Sequence, residues 1–73
     1  MKRLLVVDDV PLFRAGLASA LRDAGFEIVA EAGSAEAAVT AAEEHQPDMV
    51  LLDILMPGVS GLEVVEKIGA VAP

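Results

Sequence analysis

At 73 residues the chain is large enough for one small domain or a piece of one. Its formal net charge of −7 argues against nonspecific attachment of this segment to nucleic acid or an anionic membrane, and the absence of Cys excludes a disulfide framework and thiol chemistry. A hydrophobic share of 55% exceeds the usual range of about 45–50%, although a small body with much surface should fall below it. Thirteen Ala residues raise that share, and the excess points to part of a larger core or to an oligomer.

Met1 to Val10 opens basic and then apolar, but the apolar run meets Asp8 and Asp9 too soon for a signal core or a membrane span. Leu4 to Val7 therefore reads as a strand buried on both faces, ending in acid. Pro11 suits the first turn of a helix, and Phe13, Leu17, Ala20, Leu21 and Ala24 recur on one helical face. Gly25 is placed to end that helix in the left-handed region. Phe26 to Glu31, with Ile28 and Val29, reads as a second strand. Ser34 is a candidate N-cap for a helix from Ala35 to His45, and Pro47-Asp48 breaks it. Met49 to Leu52 is a third apolar strand, again ending in acid, at Asp53. Pro57-Gly58 signals a turn. Ser60 with Glu63 makes a capping box for a third helix through about Ile68, with Gly69 and Pro73 marking its end.

The order β-α-β-α-β-α predicts an α/β fold, with a parallel sheet and right-handed crossovers. In open sheets of this kind ligands bind beyond the carboxyl ends of the strands, where strand order reverses. If the sheet order is 2-1-3, Asp8 and Asp9 after the first strand meet Asp53 after the third. Each acid alone reads as a solvated strand end or a cap. Together they make an oxygen-only donor set suited to Mg²⁺ (or Mn²⁺), with coordination positions left for a phosphoryl oxygen. Phosphoryl transfer asks mainly for positioning and charge neutralisation.

VVDDVPLFRAGL and LLDILMPGVSGLE resemble the first strand and the phosphorylation-site region of CheY-like response regulator receiver domains. The acidic pair and the D-x-x-M-P-x-x-x-G pattern from Asp53 to Gly61 carry the resemblance. The P-L-F-R-x-G-L continuation from Pro11 is similar to the NarL/LuxR type. The resemblance implies a three-stranded parallel sheet of order 2-1-3 with flanking helices, the N-terminal part of a flavodoxin-like doubly wound receiver fold. It implies that residues 1–73 are a partial receiver domain, somewhat over half of one, with no second domain in this chain. It also implies that Asp53 accepts a phosphoryl group from a sensor histidine kinase. Asp9, Asp53 and the backbone carbonyl of Leu55 would hold Mg²⁺ directly, Asp8 would act through metal-bound water, and Met56, Pro57 and Gly58 would shape the loop. A cytoplasmic location and a DNA-binding, transcription-regulating parent protein are further implications.

The family's Ser/Thr after a fourth strand and Lys after a fifth have no counterpart here. Thr40 lies mid-helix and Lys67 lies on the third helix, so neither is carried over. Weak phosphorylation is expected on that account. An edge as apolar as Met49 to Leu52, with no Pro or Lys to block pairing, is expected to self-associate. The competing function is a phosphorylation-incompetent receiver fragment that serves as an interaction or assembly piece. A phosphatase of the haloacid-dehalogenase type would need D-x-D where Asp8 and Asp9 are adjacent, and a dinucleotide binder would need a Gly-rich first turn. His45 reads as a cation at a helix end, Met56 as packing, Arg14 and Arg22 as the solvated side of the first helix, and Glu43-Glu44 as surface.

Overall fold

The computed structural model describes residues 2–53 and 61–71, with side chains described for 63–70 of the second stretch. Chain order is β1 (Arg3–Val7), α1 (Pro11–Asp23), β2 (Glu27–Ala32), α2 (Ala35–His45), β3 (Met49–Leu52) and α3 (Gly61–Val71). The strands form one parallel sheet, as the alternation of elements predicts, in the order β2-β1-β3 that the resemblance implies. From β1 the chain steps outward to β2, then returns past β1 to β3. Right-handed crossovers in opposite directions place α1 and α2 on opposite faces of the sheet.

β1 is covered on both faces and flanked on both edges, so Leu4, Leu5, Val6 and Val7 are all buried. Alternation along the strand divides them. Leu5 and Val7 enter a core with Ala38 and Ala42 of α2 and Val64 and Ile68 of α3. The two Ala side chains let α2 sit close to the sheet. Leu4 and Val6 are outside that core and face the α1 side.

The α1 side departs from the sequence pattern. The stripe Phe13, Leu17, Ala20, Leu21, Ala24 reads as the buried face, yet Ala18 is the buried residue of α1 and Leu21 is half-buried. Phe13 is 67% exposed and Leu17 36%. The helix docks over β1 and β2 through Ala18 with Leu21 half-buried, and its apolar stripe reaches beyond the three strands. Met49 and Leu51, in register with Leu4 and Val6, are also exposed on that face.

Three boundaries carry information. Gly25 has φ of 99°, the left-handed stop its position predicts. β2 starts one residue later than the β-rich run suggests, because the Phe26 N–H donates to the Leu21 carbonyl at 3.0 Å and belongs to the end of α1. α3 runs through Gly69 to Val71 rather than stopping near Ile68. Val64 and Ile68 are anchored in the core, and such packing outweighs the cost of about 1 kcal/mol for a helical Gly. Ser34 caps α2 as expected, its Oγ accepting from the Ala37 N–H at 3.1 Å. The capping Ser60 lies outside the described residues.

Candidate metal centre

Parallel pairing aligns Val7 with Ala32 on one side and Leu52 on the other. Two backbone bonds extend the ladder past these residues. The Asp8 N–H donates to the Ala32 carbonyl at 3.0 Å, and the Asp53 N–H donates to the Val7 carbonyl at 2.9 Å. The acids that end β1 and β3 are thereby held side by side at the carboxyl edge of the sheet. One carboxylate oxygen from each of Asp8, Asp9 and Asp53 lies within 4.8 Å of the other two. Asp9 lies on the open side of the cluster and Asp8 on its buried side, so an ion can reach the group from solvent past Asp9.

The loop after β1 is held from within. Asp8 Oδ1 accepts from the Val10 N–H at 2.9 Å, a short turn that fixes one carboxylate oxygen. Pro11 then starts α1 without an N–H to satisfy, and Val10 contributes no side-chain cap. The Asp8 carbonyl accepts from an Nη1 N–H of Arg14 at 2.9 Å.

Arg14 was readable only as a solvated helix residue, and that reading is corrected. Its side chain is 23% exposed, pairs with Glu31 at 3.6 Å, and reaches back to the acidic loop. The available signal was its place in the first turns of a helix that follows an acidic strand end. Side chains there tilt toward the helix N-terminus, hence toward the acids. Arg22 fits the solvated reading, at 53% exposed and 3.7 Å from Glu31.

The other expected site residues divide cleanly. The Leu55 carbonyl and the loop residues Met56, Pro57 and Gly58 lie outside the described residues. Lys67 pairs with Glu63 at 3.1 Å on α3, and with Thr40 it borders a groove between α2 and α3. His45 stands in the last turn of α2, where a cation complements the helix dipole.

A donor set of carboxylate oxygens, free of nitrogen and sulfur, suits a hard divalent cation. Oxygens at about 2.1 Å from an octahedral ion lie roughly 3 Å from adjacent ligands and roughly 4.2 Å from the opposite one. Oxygens already within 4.8 Å need only a small closing movement to reach that geometry. The residues present therefore fit such an ion.

The chain is similar to known proteins in sequence and in fold. The model of the response regulator receiver domain matches residues 4–73. The transcriptional regulatory protein PdtaR of Mycobacterium tuberculosis is 42% identical over 69 residues, covering 94% of this chain and 34% of PdtaR. The chemotaxis protein CheY of Listeria monocytogenes is 42% identical over 73 residues, covering all of this chain and 61% of CheY. The chain thus spans about a third of the one relative and under two thirds of the other. Response regulator TrrA of Thermotoga maritima, solved in complex with Mg²⁺-BeF, is 46% identical with a TM-score of 0.84, over 96% of this chain and 60% of TrrA. TrrA was also solved in complex with the histidine kinase ThkA, where the match has 43% identity and a TM-score of 0.71 over 96% of this chain and 60% of that one. A match that runs from residue 4 to residue 73 takes in nearly the whole sheet and every helix, and the chain belongs to the response regulator receiver domain family of two-component signalling.

Proposed function

We propose that this domain is a Mg²⁺-dependent phospho-acceptor in which Asp53 takes a phosphoryl group from a phosphohistidine on a sensor histidine kinase. The observation that carries the reading is the convergence of Asp8, Asp9 and Asp53 within 4.8 Å at the carboxyl edge of the sheet. A pair of carboxylates about 4 Å apart repels by roughly 4 kcal/mol at an effective dielectric near 20, and a cation removes that cost. Asp9, Asp53 and the Leu55 carbonyl would hold Mg²⁺ (or Mn²⁺) directly, Asp8 through water, with Met56, Pro57 and Gly58 shaping the loop. Bound there, the ion supplies charge neutralisation between the acceptor carboxylate and the incoming phosphoryl oxygens.

The chain's own residues do the rest. An Asp53 carboxylate oxygen attacks phosphorus in line with the bond to the histidine nitrogen. That bond breaks, its electron pair returns to the imidazole, and the ring takes up a proton. The product is an acyl phosphate on Asp53. The Asp53 N–H bond to Val7 holds the acceptor against β1 during the transfer. The TrrA complexes with Mg²⁺-BeF and with ThkA support the ion and the kinase as partners.

Incubation with a small acyl phosphate, with and without Mg²⁺, tests this reading. Acid-labile phosphate should appear only with Mg²⁺ and vanish in Asp53→Asn. Label that persists in Asp53→Asn, or that ignores Mg²⁺, would overturn it.

Residues 1–73 act on this reading as a partial receiver domain in the cytoplasm. On this reading the parent is a DNA-binding regulator of the NarL/LuxR type; the PLFRAGL segment supports the type, and the similarity to a transcriptional regulatory protein supports control of transcription. Among the described residues no helix is long and apolar enough to cross a membrane. One observation favours a second reading, an assembly piece that exchanges no phosphate. β3 is an edge strand with Met49 and Leu51 exposed, a surface suited to pairing with a second copy.

A further inference from the structure

We infer that Arg14 is a positioning residue for the acidic loop, and that Gly33 is Gly because its empty side-chain space holds the Arg14 guanidinium. The inference rests on the reading of Asp8, Asp9 and Asp53 as a cation site, and asks what gives that site its shape. Arg14 Nη1 donates to the Asp8 carbonyl at 2.9 Å, so the guanidinium grips the backbone of the residue whose carboxylate enters the cluster. A Cβ built on Gly33 would stand 2.7 Å from that same Nη1 and 3.9 Å from the Asp8 carbonyl oxygen. The turn after β2 and the loop after β1 therefore meet at one point, and the Arg14 side chain fills the contact.

Glu31 sets the direction of the guanidinium. Its carboxylate lies 3.6 Å from Arg14 Nε and 3.7 Å from Arg22 Nη2. The Arg14 Nε is buried and makes no hydrogen bond, so charge holds that side of the group in place. The well-aligned bond goes to Asp8. Glu31 also compensates the Arg14 charge beside the cation site.

Two effects of Arg14 on cation binding have opposite sign. Its positive charge repels Mg²⁺, so deletion should tighten binding if charge is all that matters. Its grip on Asp8 preorganises the site, so deletion should loosen binding if position matters. Partners that orient metal ligands typically change affinity by about tenfold or more. Gly33→Ala separates the effects, because it keeps every charge and displaces only the guanidinium. Gly33 is not among the residues with positive φ, so Ala brings steric pressure without backbone strain.

Mg²⁺ affinity by calorimetric titration, thermal melting without Mg²⁺, and hydrogen exchange at the Val10 amide form the test. Arg14→Ala and Gly33→Ala should each weaken Mg²⁺ binding by about tenfold and speed exchange at Val10, with Arg14→Lys in between. The double variant Arg14→Ala/Gly33→Ala should match Arg14→Ala alone, since the guanidinium that the added methyl would displace is gone. Tighter binding in Arg14→Ala, additive losses in the double variant, or lowered melting with unchanged affinity and exchange would each overturn the inference. If the unaltered chain binds no Mg²⁺, the cation reading fails by itself. Val10 exchange then decides whether the Arg14 and Gly33 contact orders the loop.

Discussion

Arg3 joins more of the chain than its place at the start of an apolar strand suggests. Its guanidinium donates to the Gln46 carbonyl at 2.9 Å and to the His45 carbonyl at 2.8 Å. Its backbone N–H donates to Asp48 Oδ2 at 2.8 Å, and its carbonyl accepts from the Asp48 N–H at 2.9 Å. These carbonyls end α2 and have no helical partner ahead of them. Gln46 takes a left-handed conformation there, with φ of 47°. Arg3→Ala should therefore cost about 1–2 kcal/mol, read by urea denaturation, because charged donors to the helix end are lost. Mg²⁺ affinity should not change, since Arg3 is at the opposite end of β1 from Asp8. Neither Arg3 nor Arg14 was legible in the sequence. Arg3 finds its partners more than forty residues away, and Arg14 depends on Gly33 in another turn. Asp8, Asp9 and Asp53 were legible because each ends an apolar run, and strand ends are where a parallel sheet collects ligands.

Turn and cap residues of this chain follow from its sequence more directly than helix packing does. Gly25 and Ser34 act locally, so their roles follow from φ or a hydroxyl without knowledge of distant neighbours. The buried face of α1 was not readable, because periodicity marks an apolar stripe but not the width of sheet beneath it. Phe13 and Leu17 stay exposed beside Met49 and Leu51 of the edge strand. The proposed association through β3 would use this surface. Leu51→Lys puts a charge on an exposed position of that edge and should shift any dimer seen by light scattering toward monomer. An unchanged mass distribution in Leu51→Lys would place the contact elsewhere.

Among the described residues, the parallel sheet brings Asp8, Asp9 and Asp53 together at one edge. β1 is the structural axis, buried from Leu4 to Val7, and its carboxyl end is tied to both neighbours by the Asp8 N–H bond to Ala32 and the Asp53 N–H bond to Val7. On the proposed cation reading, Mg²⁺ binds the folded cluster and so should stabilise the fold. An excess of 100 times the dissociation constant would add about 2.7 kcal/mol, and melting in rising Mg²⁺ should move upward accordingly. The most direct test of the shared site is a calorimetric Mg²⁺ titration of the chain beside Asp8→Asn, Asp9→Asn and Asp53→Asn. One ion per chain is predicted, with affinity falling about tenfold or more in Asp9→Asn and Asp53→Asn and less in Asp8→Asn. Binding that survives unchanged in Asp53→Asn, or more than one equivalent site, would contradict a single cation held between the ends of β1 and β3.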